Sequence, residues 1–97
     1  MLNLVINMTG NELYTWLAEK MPHTPEAAAL IQHMRDRYGA GATVSDLLYW
    51  LYESEYSTLG WRKRHLEMDD VREANDELAA ARIGDKAIEL LETLNKQ

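Results

Sequence analysis

The chain has no cysteine and no phenylalanine, only two prolines, and no long apolar run. The absence of cysteine excludes disulfides, thiolate nucleophiles and cysteine-ligated zinc or iron–sulfur sites, and it is compatible with a reducing cytosol. The N-terminal residues 1–8 lack a basic start and are too short to cross a bilayer, so we expect neither a secretory signal nor a membrane partner. These absences favour a cytoplasmic protein.

Basic side chains are also scarce. Ten Lys and Arg residues stand against sixteen Asp and Glu residues, which gives a formal net charge of -6 over 97 residues. This charge disfavours nucleic acid and anionic membranes, and it favours a protein partner with a basic or mixed surface. The length matches one domain, so we expect a single helical domain over residues 1–97.

Apolar residues recur at threes and fours through most of the sequence, which predicts an all-α bundle of four or five helices. A first helix is expected over residues 10–21, opened by a capping box between Thr9 and Glu12. A second helix is expected to begin after Thr24 and to end at Gly39, a residue type that favours helix C-termini.

The second half of the chain predicts the remaining helices. Thr43 and Asp46 have the spacing of a capping box, which opens a third helix over residues 44–56. A fourth helix is expected from about Ser57 to about Ala81, and a fifth is expected to start at Gly84. Residues 2–8 alternate apolar and polar side chains, which indicates a short N-terminal β-strand or arm.

The third predicted helix carries two apolar stripes. Its leucines cluster on one face, whereas Tyr49, Tyr52 and Tyr56 form a second stripe about 120° around the helix. Tyrosine suits an interface, because the ring supplies apolar area and the hydroxyl tolerates water. We therefore interpret these tyrosines, together with Trp61, as partner-binding residues, although the same stripe could instead be buried in the core.

The predicted fourth helix has an acidic face. Glu67, Asp70, Glu73 and Glu77 recur so that they stay near one side of a helix, where they could meet a basic groove on a partner. An ordinary solvated helix face is the alternative interpretation.

Patterns of known catalytic and metal sites are lacking. The three histidines have no metal-ligand spacing, and no nucleophile elbow or phosphate-binding glycine loop occurs. The sequence therefore predicts no catalytic residue, no metal and no cofactor, so we do not expect an enzyme.

DNA binding is the main alternative. Arg62, Lys63 and Arg64 form the one basic cluster and could begin a recognition helix, but acidic residues follow directly. Residues 41–48 resemble the turn and second-helix start of ribbon–helix–helix repressors. However, the expected strand precedes an additional helix instead of the helical hairpin, so we do not assign the chain to that family.

The sequence thus favours a small acidic regulator that binds a protein. The most specific hypothesis is an inhibitor that occupies a surface of a larger partner, such as a nucleic-acid-binding protein, by analogy with inhibitors encoded by phages and other mobile elements. A DNA-binding regulator and a homodimeric or larger assembly protein are the alternatives.

Overall fold

The chain folds into a helical bundle. The structure, a computed structural model, describes residues 8–64 and 75–96. The described residues form five α-helices, which confirms the predicted all-α bundle. In chain order these are α1 Asn11–Lys20, α2 Pro25–Tyr38, α3 Val44–Glu53, α4 Thr58–Arg64 and α5 Asn75–Asn95, with a short 3₁₀ turn Gly39–Gly41 between α2 and α3. The predicted N-terminal strand lies almost wholly outside the described residues.

Local capping signals fix the N-termini of α2 and α3 and the C-terminus of α2. The Thr24 hydroxyl accepts a hydrogen bond from the backbone N–H of Ala27 at 3.2 Å. Thr43 and Asp46 form the predicted reciprocal capping box, with bonds of 3.2 and 3.1 Å. Gly39 ends α2 with a φ of 65°, a conformation that favours glycine because other residues carry a Cβ atom.

The predicted cap of α1 is wrong. The N-cap residue is Gly10, not Thr9, and no side chain caps this helix end. The N–H of Gly10 donates instead to the carbonyl of Ala42 at 2.9 Å. A Cβ on Gly10 would lie 1.9 Å from the carbonyl oxygen of Ala40, so α1 starts in close contact with the loop between α2 and α3. This tertiary contact displaces the local capping box.

One main core joins four of the helices. Tyr14 belongs to this core although it carries a polar group; its hydroxyl donates to the carbonyl of Gly39 at 2.8 Å, and it lies 3.3 Å from the carbonyl of Met34. A buried tyrosine needs such a partner. The buried core residues are Leu13, Tyr14, Leu17, Met21, Ala27, Leu30, Ile31, Met34, Ala42, Val44, Leu47, Leu51, Ala87, Ile88, Leu91 and Leu94.

The prediction that a new helix starts at Gly84 is wrong, because α5 runs through this residue without a break. Gly84 is instead the point where α5 crosses the turn between α3 and α4. A Cβ atom at this position would lie 1.4 Å from the carbonyl oxygen of Tyr56. The next residue, Asp85, accepts a hydrogen bond from the N–H of Thr58 at 2.9 Å and so caps α4. Glycine here permits close helix packing and is not a helix boundary.

The predicted long fourth helix is described in part. It begins as the seven-residue α4, where the buried Ser57 accepts a hydrogen bond from the N–H of Gly60 at 3.0 Å. Residues 65–74 lie outside the described residues, and residues 75–81, which the prediction placed at the end of this helix, belong to α5. Trp61 of α4 and Ala81 of α5 form a second small core, against which Leu78 packs.

Candidate functional site

The end of α3 determines where the aromatic side chains lie. The predicted helix over residues 44–56 is too long, because α3 ends at Glu53 and Ser54 adopts an extended conformation. Tyr56 therefore lies in the following turn, where its N–H donates to the Ser54 hydroxyl at 3.2 Å. Its ring centroid lies 5.0 Å from that of Trp50 and 5.2 Å from that of His33 on α2. Tyr56 thus does not continue a helical stripe with Tyr49 and Tyr52.

Three neighbouring grooves run along this surface. The first is lined by Arg37, Tyr38, Tyr49, Trp50, Glu53, Ser54 and Arg64. The second is lined by His33, Asp36, Arg37, Trp50 and Tyr56. The third is lined by Glu26, Ala29, Leu30, His33, Tyr56 and Ala80. Each groove shares lining residues with the next, so α2, the end of α3 and the following turn form one continuous surface, which we call the aromatic face.

The rings of the aromatic face differ in their exposure. Tyr49 is 71% exposed, whereas Tyr38, Trp50 and Tyr56 are partly buried and pack against the main core. The partial burial of Trp50 follows from its helix position, since it lies three residues after the buried Leu47 and therefore at the edge of the core-facing stripe. The face thus combines rings anchored in the core with one ring that stands in solvent.

Charged groups border the first groove. The Arg37 guanidinium lies 5.7 Å from the centroid of the Tyr38 ring, a cation–π distance. The Arg64 guanidinium donates from Nε and Nη2 to the carbonyl of Glu53, at 3.3 and 3.2 Å. The carboxylate of Glu53 pairs with Lys63 at 3.5 Å. Positive charge therefore gathers at the C-terminal end of α3, where the helix dipole is negative.

The predicted site residues do not all meet on this face. Tyr49 and Tyr56 line its grooves, whereas Tyr52 is partly buried against the main core and lines none of the three. Trp61 is only 8% exposed and packs in the second core, so it offers little surface to a partner. Among the acidic residues, Glu67, Asp70 and Glu73 lie outside the described residues, and so does the side chain of Glu77.

The basic cluster of the DNA-binding alternative contributes to packing between helices. Arg62, Lys63 and Arg64 lie exposed in the last turn of α4, and two of them contact Glu53 at the end of α3. These contacts join the two helices and stabilise the α3 C-terminus. The cluster therefore has a structural role that does not require phosphate.

Sequence reasoning missed most of the residues that line the face, among them the aromatic and basic residues His33, Arg37, Tyr38 and Trp50. The position of Trp50 beside the core stripe could have identified it as a residue of the face. The other three lie on α2, and their approach to α3 depends on how the helices pack, which no local pattern encodes.

One tyrosine outside the face has a shifted acidity. Burial raises the pKa of Tyr14 above its ordinary value of 10.0, because the charged phenolate would lose its hydration; the nearby Arg35 guanidinium opposes this shift. The Arg35 group lies 5.0 Å from the ring centroid. Tyr14 therefore stays protonated and acts as a hydrogen-bond donor in the core.

The described residues contain neither a cluster of metal-binding side chains nor a membrane-spanning helix. Across residues 8–64 and 75–96, no group of three or more histidine, aspartate or glutamate side chains could hold a metal ion. None of the helices in the described part of the chain is long and apolar enough to cross a membrane. Comparison of the chain with protein-family models, curated proteins and solved structures returned no match.

Proposed function

We propose that the protein binds another protein through the aromatic face. The observation that carries this proposal is the ring of Tyr49, which is 71% exposed at the edge of a groove that contains Trp50 and Tyr38. Tyrosine, tryptophan and arginine are the residue types enriched in the energetic centres of protein interfaces.

The charges around the face fit a partner with a mixed surface. Arg37 and Arg64 are positive, whereas Glu53 and Asp36 are negative, and the whole chain has a net charge of -6. A partner with both signs of charge would meet complementary groups at this face. Covering such a partner would allow the protein to act as a regulator or an inhibitor, which is the role that we infer by analogy.

Site-specific photo-crosslinking tests this proposal. We would place photoreactive benzoylphenylalanine at Tyr49 and, as a matched control, at the exposed Thr93 on α5, and irradiate each protein in an extract of its host. We expect discrete protein adducts from position 49 and none of these from position 93. An adduct of twice the chain mass would identify the partner as a second copy. Identical adducts from both positions, or none from position 49, would reject the proposal.

The variant Tyr49→Ala provides a second readout. Because the side chain is largely exposed, its loss should change the free energy of unfolding by no more than about 0.5 kcal/mol. If Tyr49 is an interface centre, the same change should weaken association by about 2 kcal/mol or more. Unchanged association with the crosslinked partner would contradict the proposal.

A further inference from the structure

The first groove of the aromatic face is small. Its volume is about 220 Å³, below the roughly 300 to 1,000 Å³ typical of pockets for small molecules. Aromatic rings from Tyr38, Tyr49 and Trp50 line it, together with two guanidinium groups. A space of this size and composition suits one or two side chains of a larger partner better than a free metabolite.

The two guanidinium groups of this groove have unused capacity to bind anions. Arg37 contacts the ring of Tyr38, and it pairs with no carboxylate in the part of the chain that the structure describes. Arg64 uses two N–H groups on the Glu53 carbonyl, which leaves about three of the five donors of a guanidinium. The neighbouring carboxylate of Glu53 is already paired with Lys63.

We propose that this groove binds an acidic side chain next to an apolar side chain in a segment of the protein partner. A carboxylate matches the planar guanidinium groups of Arg37 and Arg64, and the apolar neighbour matches the rings of Tyr49 and Trp50. The inference rests on the proposed protein-binding function and specifies the chemistry of the partner.

A peptide fits this site better than a nucleic acid. Tight binding to nucleic acid requires several phosphate contacts, about six to ten in salt-sensitive complexes, whereas this groove supplies two arginines. The net charge of -6 would also repel the remaining phosphates of a duplex, while a single carboxylate on a mixed protein surface avoids that repulsion.

The test is a titration of the full ¹⁵N-labelled chain, followed by NMR, with three tripeptide amides: acetyl-leucyl-glutamyl-leucine amide and its glutamine and lysine counterparts. The glutamate peptide should shift the side-chain N–H signals of Trp50, Arg37 and Arg64, with a dissociation constant in the millimolar range. We expect it to bind about fivefold more tightly than the glutamine peptide, since a favourable exposed ion pair contributes up to about that factor. The lysine peptide should bind more weakly than either.

Charge-removing variants provide the controls. The double variant Arg37→Gln with Arg64→Gln should abolish the preference for glutamate over glutamine. Arg82→Gln, at an exposed arginine of α5 that lines none of the three grooves, should retain it. Circular dichroism of each variant would verify that the helices are intact.

The possible failures are distinguishable. Equal binding of the glutamate and glutamine peptides at the groove would overturn this inference but leave the protein-binding function standing. No shift at the groove with any peptide would overturn this inference, while crosslinking from position 49 would still decide the protein-binding function. Tighter binding of a short DNA duplex than of the peptides, through the same two arginines, would overturn both in favour of nucleic-acid binding.

Discussion

Replacing Gly84 with alanine should strongly destabilise the protein. The new Cβ atom would lie 1.4 Å from the carbonyl oxygen of Tyr56 and 2.6 Å from its carbonyl carbon, whereas real Cβ contacts shorter than 3.0 Å essentially never occur. The obstructing atoms belong to the backbone, so no side-chain rotation can relieve the clash. Helix α5 and the turn between α3 and α4 would have to separate by more than an ångström.

Two opposing effects set the magnitude for Gly84→Ala. Alanine favours a helix interior by about 1 kcal/mol over glycine. Overpacking typically costs about 1 to 3 kcal/mol and sometimes more, and a rigid backbone clash belongs at the upper end. The upper end of this range less the helix-propensity gain leaves a net loss of about 2 kcal/mol, which for a domain of this size lowers the melting temperature by roughly 8 to 16 °C.

Thermal and urea unfolding followed by circular dichroism would measure this loss. Gly41→Ala is the matched control, because a Cβ there meets no atom within 4 Å and its φ is not positive. It should change stability by no more than about 0.5 kcal/mol. If Gly84→Ala melted within about 2 °C of Gly41→Ala, the expected clash, and with it the close crossing of α5 over the turn, would be refuted.

Three further predictions concern the core and the caps. Leu51→Ala should cost about 2 to 5 kcal/mol in thermal melts, because Leu51 is fully buried. Tyr14→Phe should cost about 1 kcal/mol by removing a buried hydrogen bond. Because folding raises the pKa of Tyr14, the contribution of its hydroxyl to the free energy of unfolding is complete below pH 10 and is lost as the pH rises through the folded-state pKa. Urea unfolding at a series of pH values should therefore show a smaller alkaline loss of stability in Tyr14→Phe than in the unsubstituted protein. Asp85→Ala removes the acceptor for the N–H of Thr58 and should cost about 0.5 to 2 kcal/mol in the same urea titrations; no loss would contradict its capping role.

Helix starts and the apolar stripes were predictable where short-range chemistry determines them. Thr24 and Thr43 cap their helices through bonds to residues three positions later, so the sequence itself contains both partners. The buried leucines of α3, at positions 47 and 51, likewise follow from helical spacing alone. In these cases local preference and tertiary packing favour the same structure.

The errors occur where a distant segment outweighs a local signal. Thr9 has the spacing of a capping residue, yet contact with the loop at Ala40 places the helix start one residue later. Gly84 has the composition of a helix boundary, but its lack of a Cβ serves the approach of Tyr56 from 28 positions earlier in the sequence. A single sequence contains no short-range pattern that distinguishes these roles of glycine.

The types of residue in the candidate site could be predicted from the sequence, but only some of the individual residues could. The concentration of tyrosines after residue 48 predicted an interface, and Tyr49 is the most exposed large hydrophobic residue that the structure describes. The ring partners of Tyr56 could not be inferred, because the end of α3 at Glu53 turns the chain away from the expected stripe. Trp50 and His33 meet Tyr56 only through that turn.

The packing of α3 explains how a small bundle can present aromatic rings without losing stability. Leu47 and Leu51 are fully buried and hold the helix against α5, so Tyr49 and Trp50 project from a backbone that is fixed by the core. Tyrosine has only two side-chain torsions to order on binding, which limits the entropy lost when a partner docks. Tyr56 in turn rests on the crossing at Gly84, where backbone contact with α5 sets its position. The rigidity of the aromatic face therefore depends on packing on its inner side, so a change at Gly84 should weaken both folding and binding, whereas a change at the exposed Tyr49 should weaken binding alone.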